Sequence, residues 1–369
     1  MNTELQSVSV RRGAPSRKAS VPAPARRATM KDVARHAGVH QASVSVVLNG
    51  SRSSAGVSAD ARERILEAAL ELGYRRNGSA GATRTGRFGT LALLLSSEGG
   101  NSYLPSPLLS GLQRALAPHD LSLLVCSLPD EELDEAGALP KILREQMCDG
   151  LLIDYNKRIP AGMETTIERH RIPAVWINTR RECDCVFPDD FEAGARAARL
   201  LLERGHTRIA YVDLVSPHPD DPAQHYSRRD RRDGFVSAMR KAGLLAPVWD
   251  LRASGANSVG WCRDQLRGAN RPTAVVTYAT WAMEPLLIAS ANLGFSLPRD
   301  LSLVTFGPEQ VHWMCQTMTM LIEPHAEIAR AATDLLLAKI ERPDHKLAQQ
   351  SVRFDTKWGE SVDDLLPQL

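Results

Sequence analysis

From Phe88 onward the chain alternates short apolar runs with amphipathic stretches. Runs of strand length lie at residues 90–95, 121–126, 150–154, 174–178, 208–213, 273–278, 301–306 and 318–322. Helical stretches lie between them, for example at residues 108–117, 191–204, 234–242 and 328–340. Strand and helix in turn leave parallel sheets with crossover helices as the compatible architecture, an α/β fold. This many strands make either one large sheet or two, and length alone does not choose.

The front of the chain has a different grammar. In residues 29–49, TMKDVARHAGVHQASVSVVLN, Thr29 can cap a helix with Asp32 in its first turn. Val33, Ala34 and Ala37 then share one face before Gly38 stops the helix. After a tight turn through Val39 and His40, a second short helix buries Val44, Val47 and Leu48 and turns Gln41, Ser43, Ser45 and Asn49 outward. Small polar groups on an outer face suit phosphates and base edges, so the pair reads as a helix-turn-helix. On spacing alone an ordinary buried helical hairpin stays open.

Charge supports a division of labour. Within an overall net charge of +2, residues 1–87 carry +9 and the remainder −7, a basic front on an acidic body, which suits a protein that presents one end to DNA. In residues 1–27, rich in Ala, Pro and Ser, only Glu4 opposes six basic side chains, and no apolar run suggests a signal peptide or membrane anchor. This stretch is either a disordered basic arm that adds phosphate contacts or the product of a misassigned start. The six scattered cysteines imply no disulfide scaffold and fit a reducing cytoplasm; Cys183 and Cys185 have no second ligand pair nearby and read as structural. None of the ten histidines has metal-ligand spacing, and there is no Gly-x-Ser-x-Gly word or phosphate-cradling glycine loop. The reading is therefore not an enzyme, with no catalytic residue, metal or cofactor expected.

The words DVARHAGV, ASVSVVLNG and VSADARERILEAALELGY, in this order and spacing, resemble the DNA-binding headpiece of the lactose-repressor/galactose-repressor family of bacterial transcription regulators. VFPDDFEAG, LLERGHTRIAYV, RRDGFVSAM, LPRDLSLVTFG and IEPHAEIARAATDLLL resemble the effector domain of the same repressors, itself similar to periplasmic sugar-binding proteins. The resemblance runs from Thr29 to about Ser361. It implies residues 28–75 as a three-helix DNA-binding domain, 76–87 as a hinge, and 88–362 as a two-lobed effector-binding and dimerisation domain with parallel sheets. Three crossovers near residues 188, 323 and 344 would join the lobes.

By the same resemblance Thr29, Ser43, Ser45, Asn49 and Ser58 hold phosphates, and Gln41, Ala42 and Val46 face bases. Gln41 can pair with adenine, whereas Ala42 and Val46 offer only apolar contact to a thymine methyl. Val46 stands where many relatives are basic, so the operator preference is expected to differ from theirs. The loop at residues 50–56 is longer than usual and brings Arg52 toward a phosphate. In the hinge, Asn77 and Arg84 match the family, but Thr83 replaces the leucine that wedges into the minor groove. Gly78 and Gly81 each add roughly 1 kcal/mol of helix penalty. Weaker operator bending is expected, with a flexible linker as the alternative.

The cleft departs further. Gly307 replaces the family's aspartate, Ala279-Thr280 its Asn-Asp, and Asn178 an aspartate that ends a strand, while Arg231 keeps the ligand-anchoring arginine and Asp190 stands for an asparagine. An arginine short of carboxylates wants an anion, because an unpaired buried charge is costly. The expected effector is thus a carboxylate or phosphate, unless the pocket has decayed and Arg231 pairs with Asp190 or Asp233. Tyr103 and Trp281 either stack on its flat part or simply pack in the core. The partners implied are a double-stranded DNA operator, a small-molecule effector and a second copy of the chain, as a homodimer or dimer of dimers, in the cytoplasm and without a membrane.

Overall fold

The computed structural model describes residues 27–48, 56–75, 82, 86–134, 140–214, 224–250, 257–313 and 315–365. Asn49, Arg52, Asn77, Gly78, Gly81, Thr83 and Arg84 lie outside these, as does most of the basic arm. The chain divides into two compact units at residue 80.

The first unit holds three helices: α1 (Met30–Ala37), α2 (Gln41–Leu48) and α3 (Ala59–Glu71). Thr29 and Asp32 form a reciprocal capping box that satisfies two donors at the start of α1. Gly38 ends the helix in the left-handed region at φ 64°, with its N–H on the last turn. Val33, Ala34, Ala37, Val44, Val47, Ile65 and Ala68 make the core. Its side chains are Ala, Val and Ile, and Leu66 and Leu70 remain exposed on α3.

The second unit is two lobes, each built on a six-stranded sheet. Lobe 1 contains β1 (Thr90–Ser96), β2 (Ser122–Leu128), β3 (Gly150–Asp154), β4 (Ala174–Ile177), β5 (Cys185–Pro188) and β13 (Gln350–Val352), in the order β13-β5-β4-β3-β1-β2 and all parallel. Lobe 2 contains β6 (Ile209–Asp213), β7 (Val248–Asp250), β8 (Ala274–Thr277), β9 (Ser302–Gly307), β12 (Thr319–Ile322) and β14 (Asp355–Lys357). Their order is β14-β12-β9-β8-β6-β7, parallel except for the β12–β14 pair. Between β9 and β12 a small hairpin, β10 (His312–Trp313) with β11 (Gln316–Thr317), stands apart. Central strands such as β1, β3, β6 and β9 are buried along nearly their whole length, as crossover helices on both faces require.

The chain passes between lobes three times: from β5 into the helix Asp190–Leu202 (α4), from β12 into the helix His325–Glu341, and from β13 into β14. The third passage falls at residues 353–354 and corrects the expected position near 344, because Gln350–Val352 still pairs with β5 of lobe 1. The strands absent from the sequence reading are short. β13 and β14 are polar edge strands held by backbone bonds, with no apolar run to signal them.

One close approach fixes the geometry below. Helix α5 (Ser227–Lys241) packs on α4 with the two backbones in contact. A Cβ at Gly194 would stand 1.9 Å from the Arg231 carbonyl oxygen, and one at Gly234 would stand 1.9 Å from that of Phe191. Only glycine at both positions lets the start of α4 and Arg231 of α5 lie side by side. Helix α5 begins well before the expected residue 234 because its first turns, SRRDRRD, are charged and hide the periodicity, although Arg228, Asp230 and Arg231 are buried.

Candidate functional site

Each sheet reverses its winding once, between β1 and β3 in lobe 1 and between β6 and β8 in lobe 2. In open α/β sheets the crevice at the carboxyl ends of such strands is where ligands sit. A cavity of about 320 Å³ lies there between the lobes. Lobe 1 contributes Ser102, Tyr103, Asn156 and Asn178; lobe 2 contributes Ser227, Arg231, Tyr278, Thr280, Trp281 and Gly307; the second interlobe passage contributes Glu323 and His325. Of the six residues expected from sequence, five line this cavity, and Asp190 stands behind it against Arg231.

Arg231 is not short of carboxylates. It is buried, and its Nε donates to Asp190 Oδ1 at 2.7 Å, its Nη2 to Glu323 Oε1 at 2.9 Å and its Nη1 to the Tyr278 carbonyl at 3.1 Å. His325 holds the other oxygen of Glu323 at 2.9 Å. Burial raises Glu323, but the His325 hydrogen bond and the Arg231 charge outweigh it and bring the carboxyl down to about 2. Complete burial lifts Asp190 to about 6, with Arg231 offsetting part of the rise. The premise of an uncompensated cation is therefore corrected: Arg231 makes the alternative pair with Asp190, and Glu323 is its second carboxylate. Sequence reasoning missed Glu323, although the word IEPHAEIA contains it, because no spacing rule brings residue 323 beside residue 231.

A chain of uncharged polar groups crosses the cavity wall. The amides of Asn156 and Asn178 meet at 2.9 Å. His225 Nε2 donates to the Asn178 carbonyl at 2.8 Å, which leaves its Nδ1 to accept from Ser227 Oγ at 2.8 Å. Ser227 Oγ in turn lies 2.9 Å from the Tyr278 hydroxyl. Burial drives His225 down to about 4, so it is neutral here. Asn178 sits in the left-handed region at φ 57°, which Asn tolerates and which aims its carbonyl at His225. Beneath this wall, burial pushes the Asp154 carboxyl up to about 8, against a hydrogen bond from the Tyr103 backbone.

Tyr103 and Trp281 are half-exposed at the cavity rather than packed in a core. Trp281 stands edge-on to Tyr278, with centroids 5.6 Å apart, and Tyr103 edge-on to His325 at 6.3 Å. Arg228, clamped by both oxygens of Asp213, lies over the Tyr278 ring at 4.9 Å. A Cβ at Gly307 would meet Met320 Cε at 2.9 Å and Thr280 Cγ2 at 3.3 Å, so a side chain there requires the flexible end of Met320 to shift.

In the first unit, Gln41 and Ala42 are exposed at the start of α2, and Ser43, Ser45 and Val46 are half-buried along it. Thr29 is engaged in its cap: Oγ1 donates to Asp32 Oδ2 at 2.7 Å and accepts from the Asp32 N–H at 3.3 Å. Ser58 caps α3 by accepting from the Ala61 N–H at 3.2 Å. Among the described residues no group of three or more acidic, histidine or cysteine side chains could hold a metal.

Comparison with known proteins finds both parts in one order. Residues 29–77 match bacterial regulatory proteins of the lacI family. Residues 90–269 match the periplasmic binding proteins and sugar binding domain of LacI family, and residues 198–362 a periplasmic binding protein-like domain. The ribose operon repressor of Escherichia coli (strain K12) is 27% identical over 336 residues, spanning 89% of this chain and 97% of its own. The HTH-type transcriptional repressor PurR of Edwardsiella ictaluri (strain 93-146) is 26% identical, covering 85% of this chain and 90% of its own. The fold is that of the lac repressor dimer bound to operator and the anti-inducer ONPF, with 18% identity, a TM-score of 0.69 and coverage of 92% and 100% of the two chains. The chain thus carries a lacI-family DNA-binding domain followed by the periplasmic-binding-like domain of that family, in that order.

Proposed function

We propose that this chain is a sequence-specific transcriptional repressor whose operator affinity is set by a small, uncharged polar molecule in the interlobe cleft. The observation that carries the choice of effector is Arg231, held by two carboxylates at the wall of a cavity whose other polar lining is largely uncharged. An added anion would compete with Glu323 for Arg231, whereas hydroxyl or amide groups can bond to Asn156, Asn178, Ser227 and the remaining guanidinium protons. Tyr103 and Trp281 offer a flat apolar face to a ring. The ribose operon repressor, by its name, and the transcriptional regulator CelR, a structure of the same fold solved as a cellobiose complex (23% identity, TM-score 0.58), put neutral sugars first among the compounds to try.

On DNA, Gln41 and Ala42 are the residues we assign to base edges, with Val46 one turn on, and Ser43, Ser45 and Ser58 to phosphates. Thr29, bound to Asp32, acts first through the helix it caps. Residues 28–75, 76–87 and 88–362 serve as headpiece, hinge and effector domain, and two chains together meet a roughly palindromic operator; the lac repressor, of the same fold, is solved as a dimer bound to operator. Such a protein binds a ligand and transmits a population shift without catalysing a reaction, in the cytoplasm where bacterial DNA lies.

A thermal-shift screen of neutral sugars against sugar phosphates and sugar acids tests the effector class, since a ligand that binds only the folded state raises the melting temperature. A neutral sugar that raises it supports the reading. A rise from anions alone overturns it.

A further inference from the structure

The two lobes touch at a second place, on the rim of the cleft and away from the three strands that link them. The N-terminal end of α5 belongs to lobe 2, yet Tyr226 packs against the lobe 1 core cluster that contains Trp176 and Phe187. Its ring meets Phe187 edge-on, at 6.4 Å and 89°. Arg180 of lobe 1 covers both rings, its guanidinium 4.9 Å from the Tyr226 centroid and 5.3 Å from that of Phe187. The same guanidinium pairs with Asp230, one turn further along α5. Asp230 also has Arg229 of its own helix at 3.8 Å. Beside them, His225 donates to the Asn178 carbonyl, again from lobe 2 to lobe 1.

These contacts differ in kind from those that hold each lobe together. They are one aromatic insertion, one ion pair and one hydrogen bond, and Arg180 is 43% exposed while Asp230 is nearly buried. A small interface of separable polar and aromatic contacts can part as a unit without disturbing either core. It also adjoins the wall of the cavity, because Asn178 and Ser227 lie within two residues of Arg180 and His225 respectively. We propose that Arg180, Tyr226 and Asp230 form a latch across the cleft rim that holds the lobes together through these contacts alone, so that a ligand enters only when the latch opens. Cleft opening then has a defined local event, the departure of α5 from Arg180, and the residues responsible touch no ligand.

The test uses the full chain without DNA or ligand, so its failure is separate from failure of the repressor reading. Spin labels are placed through ketone-bearing residues at the exposed positions His119 of lobe 1 and Leu245 of lobe 2, with labelled chains diluted in unlabelled ones, and the interlobe distance distribution is recorded. The parent is expected to give one short population. Arg180→Gln and Asp230→Asn are each expected to add a longer one, at least several-fold above its level in the parent. The double variant should open no further than the single variants, because the two residues act as one unit. Arg181→Gln, whose ion pair with Glu164 stays inside lobe 1, should leave the distribution unchanged. A parent that is already open, single variants that stay closed, or a double variant whose opening equals the sum of the two overturns the latch. Retained circular dichroism in each variant separates opening from unfolding.

Discussion

Helix α2 and the interlobe cleft, the two surfaces proposed to recognise a partner, are built in opposite ways. Helix α2 presents Gln41 and Ala42 to solvent over a core of seven Ala, Val and Ile residues. The cleft presents side chains that are already bonded: Arg231 to two carboxylates, His225 to Ser227 and Asn178, Arg228 to Asp213. Recognition on the helix is thus set by residue identity, and recognition in the cleft by a network that fixes which bonding capacity is left over. Substitutions on the helix should change what is bound, while those in the cleft network should first change whether the fold holds.

The strongest way to break this contrast is Arg231→Met. It removes the cation from between Asp190 and Glu323 and leaves two buried carboxylates facing each other. Losing one partner from such a network costs about 3–5 kcal/mol, read as a fall in the urea midpoint at unchanged slope. A loss below about 1 kcal/mol would mean that water already serves these carboxylates, and the cleft would then resemble the helix after all. Gly234→Ala attacks the same network from outside it. Its Cβ meets the Phe191 carbonyl and must push α5 from α4, an overpacking cost of about 3 kcal/mol. Loss of neutral-sugar binding together with the drop in melting temperature would tie that helix contact to the position of Arg231.

Asp154 sharpens the contrast through pH. Its folded value, about 8, lies above the ordinary 3.8, so between these limits the folded chain keeps a proton that the unfolded chain has released. Stability contributed by this group is present at low pH and falls as pH rises, by about 1.4 kcal/mol per pH unit. Asp154→Asn cannot titrate, and its stability relative to the parent should rise by about 3 kcal/mol from about pH 5 to about pH 7. Other groups titrate in both proteins and cancel in the difference. A flat difference in urea unfolding across that range would show the carboxylate ionised and solvated.

How much of this was legible follows from the same difference. The headpiece could be read almost residue by residue, since Thr29, Val33, Ala37, Gly38 and Val44 act through local rules of capping, periodicity and turn formation. Eight strands of the two lobes were legible as apolar runs, whereas Cys185–Pro188, Val248–Asp250, Gln350–Val352 and Asp355–Lys357 were not: all four are short, and in the last two backbone pairing alone makes the strand. In the cleft, Asp190 and Asn178 stood out as departures from a pattern, Arg231 as a residue that keeps it, and the Arg231–Asp190 pair was one of the alternatives, whereas Glu323 and His225 were not singled out. Glu323 lies 92 positions from Arg231, and His225 lies 47 from Asn178. Contacts between elements so far apart in the chain depend on how helices, strands and lobes pack, which no local period encodes. The inference of a missing counter-charge failed for that reason: the carboxylate was present in the sequence and absent only from its neighbourhood.

The smallest effect is the one that best separates identity from support on the helix side. Thr29 was expected to hold a phosphate, yet its hydroxyl both donates to and accepts from Asp32, so removing it should act through α1. Thr29→Ala loses the cap at a cost of about 1 kcal/mol, and the loss should appear in hydrogen exchange of the α1 amides without shifting the melting of residues 88–362. Operator affinity should fall by the fraction of headpiece that is no longer folded, with an unchanged salt slope, since no phosphate contact is lost. Thr29→Asp, which restores an acceptor at the cap but puts a negative charge where a phosphate would come, distinguishes the two roles. If Thr29 only caps, the aspartate variant restores the protection of α1 and operator binding recovers with it. If the hydroxyl also meets the backbone of DNA, protection recovers while affinity drops further, and α2 and α1 would together form the recognition surface.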